Sequence, residues 1–207
     1  MKTEWMAPKI KMCGIKRPED IKLVNGYKPD YIGFIFAGFS PRYVSFETAK
    51  YLKFLLSPDI LAVGVFVNED RDKIIRAIKE EIIDMVQLHG SESDDDIKYI
   101  RRKTGKPVIK AIRINDIEPE ERAEKIDTCP ADYVLIDSGM GSGRTFDWSL
   151  LEGIDREYFL AGGLSPENVS EAIKRLHPYA LDVSSGIEKD GVKDGELMKE
   201  FMDEVRG

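Results

Sequence analysis

The sequence of 207 residues has little cysteine and histidine, with two residues of each. Two cysteines, Cys13 and Cys129, are too few for a disulfide scaffold or for a cysteine-based zinc site. We therefore expect a protein of a reducing compartment, the cytoplasm. We expect no metal ion and no cofactor.

Long apolar runs and an excess of positive charge are also missing. No run of about 18 apolar residues occurs, so no membrane span is expected. The first eight residues lack the apolar core of a signal peptide. The net charge of −7 argues against nucleic acid as a partner, because phosphate contacts need clustered Lys and Arg. An anionic small molecule would need a locally favourable pocket.

Short apolar runs do occur, and each is followed by a charged, amphipathic stretch. The runs are too short for helices, and several carry β-branched or aromatic residues, so they indicate strands. The eight predicted strands are Ile10–Cys13, Tyr31–Phe36, Ile60–Val67, Met85–Leu88, Val108–Ile112, Tyr133–Ile136, Tyr158–Leu160 and Ala180–Val183.

The stretches between these runs are predicted to be helices, and some carry boundary signals. Gly26 is expected to end the first helix, while Asn68 and Ser93 are expected to cap the third and fourth.

Alternating strands and helices predict parallel pairing with right-handed crossovers. Eight such units favour a single (β/α)₈ TIM barrel. The rival is an open doubly wound sheet, but its glycine-rich first turn is absent here. We expect an N-terminal extension at 1–8 and one catalytic barrel domain at 9–207.

The last two predicted strands end in loops that suit a phosphate group. In a barrel, functional groups lie at the C-terminal ends of strands, and the loops after strands 7 and 8 commonly hold phosphate. Backbone N–H groups near helix N-termini favour such an anion. The predicted phosphate-binding residues are Gly162, Gly163, Ser184, Ser185 and Gly186.

Six blocks of sequence occur in a fixed order along the chain. They are KMCGI, SPRYVS, QLHG, LIDS followed by GSGRTFDW, LAGGLSPENV, and DVSSGIE followed by GVKD. Together they resemble the pattern of the phosphoribosylanthranilate isomerase family, from about residue 9 to the end. Met12 and Ser142 depart from the commoner residues, and neither has a proposed chemical role.

The resemblance implies an isomerase of tryptophan biosynthesis. Its reaction is the Amadori rearrangement of N-(5′-phosphoribosyl)anthranilate to 1-(o-carboxyphenylamino)-1-deoxyribulose 5-phosphate. Cys13 is implied as the general base at C2′ and Asp137 as the general acid at the furanose oxygen. Because strands 6, 7, 8 and 1 are consecutive in a closed barrel, these two residues should flank the phosphate loops.

Four further residues are candidates for binding this phosphorylated small-molecule substrate. Arg42 has the planar fork that suits the anthranilate carboxylate. Asp182 is expected to accept a hydrogen bond from the anthranilic N–H or a sugar hydroxyl. His89 is expected to line the site, and Arg144 lies in a glycine-rich loop that would cover it.

Lys11 is expected to point into the barrel with Cys13, since the two are two residues apart on one strand. A buried lysine needs a partner, and Asp182 on the neighbouring strand is the candidate. We expect Lys11 to lower the pKa of the Cys13 thiol.

Other functions stay open at this point. A broader aminoaldose isomerase that also accepts the histidine-pathway analogue would place Asp where Cys13 stands. A metal-dependent pentose-phosphate epimerase would need more histidine ligands. A phosphate-binding protein without catalysis is the non-enzyme alternative.

The chain is expected to be a monomer or a homodimer. Phe39 and Tyr43 are apolar residues suited to an interface or a lid.

Overall fold

The computed structural model describes residues 7–137, 151, 154 and 156–207. Arg144 and the first six residues of the expected N-terminal extension lie outside the described residues.

Eight parallel strands form a closed barrel in chain order. Strand β1 pairs with β8, from Lys9 opposite Ala180 to Met12 opposite Val183, and this pairing closes the ring. The predicted barrel is therefore confirmed over the open sheet. The strands are β1 (Lys9–Cys13), β2 (Tyr31–Ile35), β3 (Leu61–Phe66), β4 (Met85–Leu88), β5 (Val108–Arg113), β6 (Tyr133–Asp137), β7 (Tyr158–Ala161) and β8 (Ala180–Val183).

Helices surround the barrel, and a short antiparallel hairpin follows β8. The hairpin consists of β9 (Glu188–Lys189) and β10 (Val192–Lys193). None of the described helices is long and apolar enough to cross a membrane. The described helices are α1 (Pro18–Tyr27), α2 (Phe46–Leu55), α3 (Arg71–Lys79), α4 (Asp94–Thr104), α5 (Arg122–Asp127), α6 (Pro166–Leu176) and α7 (Gly195–Arg206).

The start of α4 agrees with the sequence prediction, and the end of α1 does not. Ser93 caps α4 by accepting a hydrogen bond from the Asp96 N–H. Helix α1 continues through Gly26 and stops at Lys28, which takes the left-handed conformation (φ 53°) and donates its N–H to Val24. Helical packing therefore overrides the preference of one glycine for a helix end.

The start of α3 also differs from the prediction. Asp70, not Asn68, caps α3 and accepts from the N–H groups of Asp72 and Lys73. Asn68 instead has φ 50°, a conformation that asparagine tolerates better than most residues. Its side-chain oxygen accepts from the Ser91 N–H, which ties the loop after β3 to the loop after β4.

Alternate residues of each strand face two different apolar cores. One core packs the outer faces of the strands against the helices. The other contains no helix residue and fills the barrel interior. Its buried members are Tyr31, Val63, Met85, Ile109, Ala111, Leu135, Phe159, Ala161 and Ala180. Residues that share this parity near the C-terminal strand ends face the open end of the barrel.

Aromatic rings close the opposite end of the barrel. The Tyr133 and Tyr179 rings stack with centroids 5.3 Å apart, and Phe159 contacts the rings of Tyr31, Tyr133 and Tyr179. This aromatic layer fills the interior of the barrel at its N-terminal end.

Three aspartates, located just before β2, β4 and β6, each bind the first part of the strand that comes one earlier in the chain (β1, β3 and β5). In each case the carboxylate accepts a backbone N–H, which a buried strand end would otherwise leave unpaired. The bonds are Ile10 N to Asp30 (2.9 Å), Ala62 N to Asp84 (2.8 Å) and Val108 N to Asp132 (2.8 Å).

Replacing Asp84 by alanine is expected to lower the free energy of unfolding by about 1–3 kcal/mol, because the buried Ala62 N–H loses its acceptor. Urea unfolding followed by circular dichroism measures the change. Asp84→Asn keeps an acceptor oxygen but loses the ion pair with Lys53, so it should cost less. Equal losses in the two variants would mean that the ion pair, not the N–H acceptor, matters.

Candidate active site

A cavity of about 520 Å³ opens at the C-terminal ends of the strands. Most residues predicted from the sequence to form the site line this cavity. They are Cys13, Arg42, His89, Asp137, Gly162, Gly163, Asp182, Ser184 and Ser185. Gly186 is not among the lining residues.

The thiol of Cys13 and the carboxyl of Asp137 line this cavity from two sides. Cys13 ends β1 and Asp137 ends β6, with β7 and β8 between them in the barrel. The loops after β7 and β8 therefore lie between the two groups. Cys13 is buried and Asp137 is partly exposed.

A glycine on β2 makes room for the Cys13 thiol. Gly33 is the register partner of Cys13, and a Cβ at Gly33 would lie 2.6 Å from the Cys13 sulfur. Any larger residue at this position would have to displace the thiol. Gly33 was not predicted as a site residue, because nothing in the local sequence indicates which side chain its missing Cβ accommodates.

Lys11 and Asp182 form a buried ion pair below Cys13, as expected. The Lys11 Nζ lies 2.8 Å from Asp182 Oδ1, and the two side chains are 0% and 9% exposed. Burial lowers the pKa of Lys11, but Asp182 and Cys13 outweigh burial and the net shift is upward. Lys11 is therefore a charged ammonium beside the thiol.

The pKa of Cys13 is nevertheless raised above its ordinary value. Burial is the largest cause of the increase, and Asp182 adds to it, while Lys11 and Lys193 act in the opposite direction. The expected influence of Lys11 is present, but it does not lower the pKa of the thiol below the ordinary value.

The loop after β7 leads directly into α6. Gly162 and Gly163 have φ values of 94° and 66°, a region in which other residues are strained. Pro166 is the first residue of α6, and Asn168 donates its side-chain N–H to the Gly163 carbonyl. This helix of 11 residues begins directly after the loop, so the positive end of its dipole lies close to the loop and favours an anion there.

The loop after β8 packs tightly against the loop after β7. A Cβ at Gly186 would lie 1.9 Å from the carbonyl oxygen of Leu164. Gly186 is thus required for close contact between the two loops, whereas Ser184 and Ser185 line the cavity. The Ser184 hydroxyl also donates to the Cys13 carbonyl at 3.1 Å, which fixes this loop to β1.

Arg42 is held at the edge of the cavity by Glu188. Its Nε and Nη2 donate to the two carboxylate oxygens of Glu188 at 2.8 and 2.6 Å. The guanidinium that was predicted to bind a carboxylate of the substrate therefore already pairs with a carboxylate of the protein.

The hairpin after β8 adds a buried lysine to this pair. Lys193 donates to Glu188 at 2.7 Å and to the Ser184 carbonyl at 2.9 Å. Burial raises the pKa of Glu188, but the hydrogen bonds from Arg42 and Lys193 outweigh it and hold the pKa below its usual value. Glu188 and Lys193 lie in the DVSSGIE and GVKD blocks, but their pairing depends on the hairpin and was not predicted.

His89 lies beside Asp137 in the cavity wall, with its Nε2 3.4 Å from Asp137 Oδ2. Cys129 precedes β6, at the other end of that strand from Asp137, and both cysteines are unpaired thiols. His177 forms the left-handed C-cap of α6, away from the cavity.

The fold and the site define a (β/α)₈ barrel with two glycine-containing loops between a thiol and a carboxyl. Residues 10–204 match the family model for N-(5′-phosphoribosyl)anthranilate (PRA) isomerase. The chain belongs to this family.

Individual relatives agree with this assignment. An N-(5′-phosphoribosyl)anthranilate isomerase of Endomicrobium trichonymphae is 46% identical over 192 residues, 90% of this chain and 92% of that protein. A phosphoribosylanthranilate isomerase solved with reduced 1-(o-carboxyphenylamino)-1-deoxyribulose 5-phosphate is 36% identical, with TM-score 0.84 and coverage of 97% and 99%. Monomers of the dimeric enzyme of Thermotoga maritima are 32% identical, with TM-score 0.82 and coverage of 97% and 99%.

The opposed effects of Lys11 and Asp182 on the thiol predict two shifts of opposite sign. In a Cys129→Ser background, Lys11→Met should raise the pKa of Cys13, because a nearby positive charge is lost. Asp182→Asn should lower that pKa, because a nearby negative charge is lost. The pH dependence of alkylation by iodoacetamide measures both shifts.

Circular dichroism establishes that each variant is folded. A folded Lys11→Met protein with an unchanged thiol pKa would contradict the inferred electrostatic coupling.

Proposed function

We propose that this cavity converts N-(5′-phosphoribosyl)anthranilate to 1-(o-carboxyphenylamino)-1-deoxyribulose 5-phosphate, with Cys13 as general base and Asp137 as general acid. The observation that carries the proposal is that a thiol and a carboxyl line one cavity with the phosphate loops between them. A relative of 36% identity binds the reduced form of the same product, which supports this choice of substrate.

The substrate phosphate binds the loops after β7 and β8. Gly162, Gly163, Ser184 and Ser185 line the cavity there, and the N-terminus of α6 adds a favourable dipole. An anchored phosphate fixes the ribose between β6 and β1, so binding of a part that does not react positions the part that does.

The first chemical step is opening of the furanose ring. Asp137, as a carboxylic acid, donates a proton to the ring oxygen while the anthranilic nitrogen lone pair forms a C=N bond. The C1′–O bond breaks, its electrons stay on the oxygen, and the nitrogen becomes an iminium. The positive nitrogen then makes the C2′ proton acidic.

The second step is removal of that proton. Cys13 as a thiolate takes it from C2′, and the electrons form the enolamine while neutralising the iminium. In the last step the Cys13 thiol gives a proton to C1′ and the Asp137 carboxylate takes the C2′ hydroxyl proton, which gives the ketone and restores both groups. The ammonium of Lys11 lies below the thiol and favours its anionic form, whereas burial opposes it.

Arg42 binds the anthranilate carboxylate in this proposal, and Asp182 accepts a hydrogen bond from the anthranilic N–H or a sugar hydroxyl. Both side chains line the cavity. Because Glu188 holds the Arg42 fork through Nε and Nη2, the substrate carboxylate must bind the remaining N–H groups or replace Glu188. Arg144 lies outside the described residues, and its role in covering the site stays a prediction.

Removing either catalytic group should abolish most of the turnover. Cys13→Ala and Asp137→Asn are each expected to lower kcat by about 10²–10⁴-fold, the usual contribution of a general acid or base. Loss of substrate fluorescence follows the reaction. Cys129→Ala is the matched control, since this thiol lies outside the cavity, and its kcat should equal that of the parent.

Binding of substrate by the parent without turnover would favour the phosphate-binding protein over the isomerase. Full activity in a folded Cys13→Ala protein would remove the thiol from the mechanism.

The proposed chemistry also bears on the compartment. Cys13 must remain a reduced thiol to act as a base, and Cys129 is unpaired as well. A reducing cytoplasm maintains both thiols, so we assign the protein to the cytoplasm.

We also propose that the protein is a homodimer that associates through α2. Phe54 is 84% exposed, Tyr51 56% and Leu55 36%. Their spacing of three and four residues puts all three on one face of α2. Exposed apolar patches of this kind mark protein–protein contacts, and the Thermotoga maritima relative is described as dimeric.

Phe54→Glu is expected to shift the protein from dimer to monomer, because it places a charge at the most exposed apolar side chain of this face. Sedimentation equilibrium measures the mass. Lys98→Glu makes a charge change at an exposed position of a different helix, α4, and is the control. A parent protein that sediments as a monomer at all concentrations would contradict the proposal.

A further inference from the structure

Gln87 is a buried polar residue of β4 that the mechanism above does not use. It lines the catalytic cavity, its exposure is 1%, and its side-chain Oε1 has no hydrogen-bond partner among the described residues. Buried polar atoms are paired in most native structures, so an unpaired one in a cavity wall indicates a functional constraint.

The other end of the Gln87 amide begins a chain of contacts that reaches the catalytic acid. Gln87 Nε2 lies 3.1 Å from His89 Nδ1, and His89 Nε2 lies 3.4 Å from Asp137 Oδ2. Gln87 and His89 are two residues apart, so both side chains point to the barrel interior. These contacts therefore run along the cavity wall from β4 to the end of β6.

The orientation of the amide decides which nitrogen of His89 carries the proton. With Nε2 of Gln87 toward His89, the amide donates to Nδ1, and the ring proton is on Nε2. The amide oxygen and one of the two N–H groups then have no partner among the described residues. With the amide reversed, the oxygen would accept from His89 and neither N–H would have an acceptor there, and a buried donor without an acceptor is costly.

We propose that Gln87 and His89 are positioning residues for Asp137: Gln87 fixes His89 in the tautomer protonated at Nε2, and this N–H holds the Asp137 carboxyl. The proposal rests on the proposed function for the role of Asp137. The distance of 3.4 Å is long for a hydrogen bond, but such contacts commonly shorten when substrate binds.

A donor on one oxygen of Asp137 has a specific consequence for acid catalysis. The proton to be transferred stays on the other oxygen, where it can face the furanose ring. When Asp137 loses this proton, the resulting carboxylate accepts a stronger, charge-assisted hydrogen bond from His89. The interaction is therefore stronger after proton transfer than before it, and it favours ring opening.

Nitrogen-15 NMR of the histidine rings tests the tautomer without any catalytic assay. The sequence has only two histidines, so a His177→Asn variant gives a spectrum of His89 alone. His177 is in the left-handed conformation at the end of α6, which asparagine tolerates. At about pH 8.5, two units above the ordinary histidine pKa, two-bond proton–nitrogen correlations should show the proton on Nε2.

Gln87→Glu is expected to reverse the tautomer of His89 and is tested by the same measurement. A carboxylate at this position accepts a hydrogen bond but cannot donate one, so Nδ1 of His89 should become protonated. A proton on Nδ1 in the His177→Asn protein, or an unprotonated Nδ1 after Gln87→Glu, would overturn the proposal. The first result needs no change within the cavity, so misfolding of a cavity variant cannot obscure it.

Kinetics test the connection to Asp137. His89→Leu removes the donor and should lower kcat about 10- to 100-fold, the effect of one hydrogen bond to a charged group, with little change in KM. His89→Gln places an amide N–H near the former Nε2 and should recover most of this loss. Equal kcat values for the two variants would mean that His89 acts only by filling space.

These results separate the two proposals. If Asp137→Asn had full activity while His89 showed the Nε2 tautomer, the role of Asp137 would fail and the Gln87–His89 arrangement would remain. If Asp137→Asn were inactive and His89→Leu had the parent kcat, the positioning role alone would fail.

Discussion

The ion pair between Lys11 and Asp182 joins the closure of the barrel to its chemistry. The two residues are register partners on β1 and β8, the strands whose pairing completes the ring. Their charges are buried, and a buried charge without a partner is strongly unfavourable. Loss of one partner would therefore weaken the pairing of β1 with β8 and would also change the electric field at Cys13. At this ion pair the same interaction stabilises the barrel and sets the charge around the thiol.

Much of the fold follows from the sequence because each strand carries its own local signal. Short β-branched runs bounded by charged stretches locate all eight strands to within one or two residues. Strand ends then identify the side of the barrel that holds Cys13, His89 and Asp137. This step needs only the rule that parallel strands present their C-terminal ends at one edge of the sheet.

The features that sequence does not reveal depend on contacts between distant segments. Glu188 pairs with Arg42 across 146 positions of the chain, and no local pattern encodes this partner. Gly33 is needed because of where the Cys13 sulfur lies. The predictions for the end of α1 and the cap of α3 were wrong for a related reason. Several nearby residues can end or cap a helix, and tertiary packing selects among them.

The cations of the site are largely balanced by the protein's own carboxylates. Lys11 pairs with Asp182, and Arg42 and Lys193 share Glu188. Three cations and two carboxylates leave one net positive charge, so most of the positive charge holds the loops in place. Attraction for a phosphate then also draws on the backbone N–H groups of the two loops and on the N-terminus of α6. Such dipoles are fixed by the fold, so they select an anion by its position and shape as well as by its charge.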